Sequence, residues 1–370
     1  MIKLLFKIFA LNFLLLLTGF LCFDFTAAKK PVDTIVLRDD MPAITPGEFY
    51  IAGVTDERAD KSGIGRLVPV NGGETSVSVD LRGGFLPALT TFADHNVKKN
   101  AGLRPVVISF KKFVVTETAL PGDLAKGYIN IMMSFGLQSG DSTKHLIDYN
   151  GSAVYERPAG AAQQIEPNLR HILANGLNYF NTWINTQAGS NIKLAKAVTI
   201  GFSDRLETPE GDTIYYSAKR PLTWDDFKSQ IPSKRFDAEI YPTFGYSERT
   251  SVKEAIINLN FEISVSLPKS TCWVRGGSMD AYTLNHEQRH FDIAKIVAEH
   301  FKRKVKAEWL PADNYDGPIN VDYLDSYREM DSLQMTYDRE THHGADRYAQ
   351  QEWNEKIDRE LRAAGTLNGE

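Results

Sequence analysis

The feature that most restricts the fold of this chain lies in residues 257–267. Ile257, Leu259, Phe261, Ile263, Val265 and Leu267 alternate strictly with Asn258, Asn260, Glu262, Ser264 and Ser266, and Pro268 follows. A period of two sends all six apolar side chains to one face of an extended chain, which is the pattern of a strand with one buried face. From Asp280 to Leu361 the texture changes to strongly charged sequence with helical spacing. Leu284, Phe291, Ala294, Ala298, Phe301 and Val305 form an apolar stripe there, and Asp280 stands where an N-cap belongs. Two further helical stretches, 322–338 and 345–361, meet at a His342-His343-Gly344 corner. This half is expected to hold a small sheet and long helices.

The preceding half has mixed texture. Residues 75–81 alternate as a half-buried strand, 85–99 fit a helix with Pro87 near its start, and 106–115, 127–137 and 146–155 read as strands between turn residues. Glu166-Pro167 opens a helix in which Leu169, Ile172, Leu173, Leu177, Phe180 and Ile184 recur every three to four residues, with Gly189 just past its end. The fold class expected is α+β: an α+β domain over 29–210, a polar, turn-rich linker at 206–212, and a second domain over 214–365. His95, His145 and His171 are isolated in sequence and read as surface or structural residues, and Gly63-Ile64-Gly65 reads as a turn. The strand–helix order of the first half resembles small periplasmic lipoprotein-type domains that bind envelope partners.

Composition removes several classes of function. With 370 residues, 42% hydrophobic and 24% charged, the chain has the make-up of a folded protein of about two domains. A formal charge of −5 speaks against a nucleic-acid binder working through phosphate contacts. Residues 1–28 read as a signal peptide: Lys3 and Lys7 precede an apolar run from Ile8 to Cys22, and Thr26-Ala27-Ala28 supplies small residues before the cut. A retained anchor and lipid attachment at Cys22 are the lesser alternatives, the latter disfavoured by Leu21 just before it. The expectation is an exported protein, periplasmic or extracellular. Cleavage after Ala28 leaves Cys272 as its one cysteine, so the fold does not lean on an internal disulfide.

The chemistry concentrates in His286-Glu287-Gln288-Arg289-His290. On a helix, residues four apart lie one above the other, so His286 and His290 can offer imidazole nitrogens to one metal ion. Glu287 projects beside that ion, placed to take a proton from water activated there and pass it to a leaving amine. Zinc (Zn2+) suits imidazole and carboxylate donors. A third ligand is needed. His300 is ten residues beyond His290, about 15 Å along the axis, too far to share the ion. The corner after 338 offers His342 and His343, with Glu340 and Asp338 as carboxylate rivals. Tyr337 or Tyr348 could stabilise an oxyanion, or serve as core residues.

Residues 214–365 resemble an uncharacterised bacterial family described as predicted secreted zinc-dependent proteases. The resemblance is carried by Trp224-Asp225-Asp226-Phe227, Cys272-Trp273-Val274, His286-Glu287-Gln288-Arg289-His290-Phe291-Asp292, and Tyr337-Asp338-Arg339-Glu340-Thr341-His342-His343-Gly344 with Gln351 and Trp353. It implies a zincin-like metallopeptidase fold, a site of His286, Glu287 and His290, and His343, directly before Gly344, as third ligand. Arg289 departs from the glycine expected there and is read as leaning toward solvent or the cleft mouth. Asp292 is read as an acceptor behind a ligand imidazole, or as facing water.

The functional expectation is a secreted zinc metallopeptidase with Glu287 as base and then acid, acting on a peptide or protein. Strand 257–267 would flank its cleft, and the first domain would meet an envelope partner. Two rivals stand beside it: an envelope binding protein with a structural metal, and a zinc amidase acting on a cell-wall or other non-protein amide.

Overall fold

The computed structural model describes residues 32–70, 76–206, 211–230 and 236–366. The expected signal peptide, Cys22, Thr75 and residues 207–210 of the expected linker lie outside them. The fold is α+β, and the chain divides into two compact units, Met1–Asn185 and Thr186–Glu370. No helix among the described residues is long and apolar enough to cross a membrane.

The first unit is built on a seven-stranded sheet ordered β1-β4-β3-β5-β6-β7, with β2 also paired to β5. β1 is Val32–Ile35, β2 Phe49–Asp56, β3 Gly65–Leu67 and β4 Val77–Leu81. The three strands read from sequence are longer than their apolar cores suggest: β5 runs Arg104–Leu120, β6 Leu124–Ser139 and β7 Ser142–Pro158. They form an antiparallel meander whose second turn is the two-residue loop Gly140-Asp141, with Gly140 at φ 55°. α1 (Phe85–Asn96) ends three residues before the sequence-based limit, because Val97 leaves the helix to bridge Ile44. Its Phe85 meets Phe110 and Phe113 edge-on. α2 (Glu166–Gln187) lays Phe180 flat on Phe135 at 4.3 Å. A Cβ on Gly176 would come within 2.6 Å of the Met133 sulfur, so glycine permits this close approach.

The second unit begins earlier than the 206–212 linker suggested. β8 (Ala197–Asp204) pairs in parallel with β12 (Ile256–Pro268), a partner far along the chain that local patterning cannot reveal. β12 is the expected alternating strand, its odd-numbered apolar side chains buried from Ile257 to Leu267. It also pairs antiparallel with β11 (Thr243–Lys253) and, at its end, with β9 (Thr213–Tyr215). β10 (Ala238–Glu239) and β13 (Trp273–Val274) form a separate two-stranded piece. Trp224–Asp226 is one 3-10 turn held by a capping box between Thr223 and Asp226.

Three helices complete the unit: α3 (Ala281–Ala307), α4 (Asp316–Thr341) and α5 (Arg347–Ala363). Phe291, Ala294, Ala298, Phe301 and Val305 of α3 share one core with the buried face of β12. Ile293 and Ile296 share a second core with Tyr337, Trp353, Ile357 and Leu361 of α4 and α5. α3 is thus buried on two sides, each enclosed apolar side chain contributing roughly 1.5–3 kcal/mol. That packing fixes the rotation of α3 and hence the direction in which His286, Glu287 and His290 point.

Candidate metal centre

Asp280 caps α3 as expected, accepting from the Thr283 amide at 2.8 Å. About two to three turns later His286, Glu287 and His290 are all buried and line a cavity of about 660 Å³. The opposing wall is the stretch of α4 from Tyr327 to Asp338, from which Asp338 enters. Asp338 Oδ1 lies 3.0 Å from His290 Nε2 and 3.3 Å from His286 Nε2. These three residues offer one ligand atom each, all within 4.8 Å of one another, and could hold a metal ion.

The hydrogen bonds behind the histidines set their tautomers. Gln334 donates from Nε2 to the His290 carbonyl, which can only accept, so its Oε1 faces His290 Nδ1 and requires Nδ1–H there. The His286 side follows a longer chain. Arg289, which has only donors, donates Nε–H to Asn354 Oδ1. The group Gln350 presents to that same oxygen is therefore its amide, at 3.0 Å, and Gln350 Oε1 is left to accept from His286 Nδ1 at 2.9 Å. A neutral imidazole carries one N–H, so both Nε2 atoms turn lone pairs toward the Asp338 carboxylate. Three lone-pair donors at 3 Å repel unless a cation or extra protons lie among them, and the donor set is one that zinc accepts. With protons rather than an ion among them, hydrogen bonds and charge from His286 and His290 hold the Asp338 carboxyl far below its ordinary range, against the opposing effect of burial.

Glu287 sits differently. Its Oε2 is buried without a hydrogen-bond partner, while the Ile240 backbone beside β10 hydrogen-bonds the carboxylate. Burial, with Asp338 and Glu239 nearby, pushes its pKa up to about 8, opposed by His286. A carboxyl bound to its proton more tightly in the folded state than in the unfolded one makes stability fall as pH rises between the two values. Metal-free protein is therefore expected to lose up to roughly 5 kcal/mol from this group between about pH 4.5 and 8. Chemical denaturation across that range should show a shallower slope in Glu287→Gln; an unchanged slope would place the titration elsewhere.

The corner after α4 is strained. His342, His343 and Gly344 all have positive φ, at 49°, 52° and 79°. Two such non-glycine residues cost on the order of 1–3 kcal/mol each. The turn is held by the His343 amide on the Asp338 carbonyl at 2.8 Å and by the Tyr282 hydroxyl on the Gly344 carbonyl at 2.6 Å. A Cβ on Gly344 would stand 3.3 Å from the His286 ring, so position 344 needs glycine for both its conformation and its space.

The structure places the other sequence-named residues as follows. His343 lines the cavity but stands outside the compact group: its Nδ1 is 3.5 Å from Asp338 Oδ1 and its ring rests on Phe236 at 4.2 Å. Asp338, not His343, completes the compact group, because the last turn of α4 faces α3 directly while His343 follows a reversal. Glu340 accepts from the Trp353 indole at 2.9 Å, and His342 is exposed. Tyr337 is fully buried, stacked on His286 and donating to its carbonyl, and Tyr348 is 75% exposed; neither lines the cavity. Arg289 does not lean toward solvent: besides Asn354 it binds Asp292 at 3.0 Å and Asp358 at 2.6 Å. Asp292 is buried under Tyr216, Gln288 and Arg289 and touches neither imidazole. His300 pairs with Glu329 at 2.5 Å, away from the cavity. β10, not β12, flanks the cavity. Gln334, Gln350 and Asn354 went unread in the sequence, although Gln334 is four residues before Asp338 and shares its helix face.

No protein-family model matches the chain, and no curated protein matches it. Among solved structures, a Xanthomonas campestris protein assigned to DUF330 aligns with 42% of this chain and 99% of its own, at 7% identity and a TM-score of 0.27. A minor lipoprotein from Acinetobacter baumannii aligns with 36% of this chain and 88% of its own, at 9% identity and a TM-score of 0.17. Likeness this low carries no functional argument, and the resemblance to zinc-dependent proteases rests on the four motifs alone.

Proposed function

We propose that the second unit is a zinc-dependent hydrolase of an exported protein, cleaving amide bonds in peptides. The observation that carries this reading is the convergence of three lone-pair donors, with tautomers fixed from behind, from two facing walls of a cavity. His286, His290 and Asp338 would hold the ion. Zinc there supplies Lewis acidity, polarising a carbonyl and making a nearby water easier to deprotonate. Glu287, next to the group with a free oxygen, accepts that proton as base and returns it to the departing amine as acid. Burial raises the proton affinity of this carboxyl and the ion beside it would lower it again, opposing effects that suit a group which both takes and returns a proton. The cavity favours catalysis over a structural metal, because structural sites are closed by protein ligands and this group opens to a space of about 660 Å³.

The test is direct. The mature chain, loaded with zinc, should bind about one ion and cut denatured protein, a chelator should stop cleavage, and added zinc should restore it. Failure to bind zinc at neutral pH would end the proposal.

A further inference from the structure

The lining of the cavity also speaks to what enters it, on the hydrolase reading above. Besides Glu287, five carboxylates line the cavity: Asp237, Glu239, Asp280, Asp331 and Asp338. Among the described lining residues they face one guanidinium, that of Arg347, which lies over the Tyr282 ring at 4.4 Å. A divalent ion would still leave this lining net negative.

The carboxylates are unequal. Asp280 caps α3, and Asp237 receives Arg275 and Ser278. Among the described residues Glu239 meets neutral donors, the Trp273 indole N–H at 3.2 Å and the Tyr241 hydroxyl, and Asp331 is exposed on the α4 wall. These two stand on different elements that border one space. The aromatic rings of Phe236, Tyr241 and Tyr327 border it too, and such faces attract cations. A second observation points to an occupant: the buried Glu287 Oε2 lines this cavity with no hydrogen-bond partner, so a hydrogen-bonding group is wanted there.

We propose that the cavity takes an extended peptide segment bearing a lysine or arginine side chain, seated toward Asp331 and Glu239, close to the bond presented to His286, His290 and Asp338. Asp331 precedes Asp338 by seven residues, about 10 Å along the helix axis. An extended peptide advances about 3.3 Å per residue, so the cationic residue falls within about three positions of the cleaved bond. Glutamate at that place would meet like charge in a partly enclosed space, which rejects as well as selects.

The experiment titrates labelled peptides of about ten residues, alike except for two central lysines, glutamines or glutamates, into the zinc-loaded full chain by fluorescence anisotropy. Glu287→Gln prevents turnover. The lysine peptide should bind at least about tenfold more tightly than the glutamate peptide, with added salt narrowing the gap. Asp331→Asn should reduce that ratio severalfold with the circular dichroism spectrum unchanged. Equal affinities, or a preference for glutamate, would overturn the proposal, as would an undiminished lysine preference in the Asp331→Asn, Glu239→Gln double variant. Cleavage by wild type is read separately. If no peptide is cut while the lysine preference and its dependence on Asp331 hold, charge selection stands and the hydrolase reading fails.

Discussion

Asp338→Ala is expected to abolish stoichiometric zinc binding, while His343→Ala keeps it. Asp338 Oδ1 is the atom on which both imidazole Nε2 atoms converge, at 3.0 and 3.3 Å. Losing a residue that merely orients a ligand typically weakens a metal site about 10–100-fold, and losing a ligand should exceed that. Competition with a chromophoric chelator should therefore show more than about a hundredfold loss for Asp338→Ala and for His286→Ala. His343 touches the group through Asp338, so its removal should cost no more than about tenfold. The fold should survive all three changes, because each side chain borders the cavity and water can replace it. The converse result, zinc lost with His343→Ala and kept with Asp338→Ala, would mean that the corner closes onto the ion and would restore the ligand that the family resemblance implies.

Glu287→Gln should separate metal binding from chemistry. The amide keeps the shape of the side chain and the contact with the Ile240 backbone, but it can neither accept nor return a proton. Cleavage should fall by about 10²–10⁴ in kcat, the usual worth of a positioned acid–base group, while zinc stays at about one per chain. Zinc affinity should hold within about tenfold, since Glu287 is not among the residues that offer a ligand atom. Unimpaired cleavage with Glu287→Gln would remove it from the mechanism. Loss of zinc together with activity would instead make Glu287 a ligand.

Much of the second unit was legible because its signals are local. The strict alternation of 257–267 reappears as β12, and the His286/His290 spacing reappears as two imidazoles on one face of α3. The corner at His342-His343-Gly344 was legible too, since glycine after two turn-tolerant residues marks a helix end. Arg289 and Asp292 were misread because charge on a helix is ordinarily solvated. Here α5 brings Asn354 and Asp358 against that face and turns an exposed pair into a buried network. The domain boundary was missed because β8 belongs with a strand that follows it by half a hundred residues.

The sequence by itself determined the chemistry on offer: two imidazoles one helical turn apart with a carboxylate beside them, since a 3.6-residue period and side-chain composition are properties of a single segment. Only the tertiary structure decided what stands opposite and behind them. Asp338 from α4, Gln334 and Gln350 fixing the tautomers, and β10 closing the cavity all come from other segments. Their placement follows from how two cores grip α3 from both sides, and no local pattern records which turn of one helix will meet which turn of another.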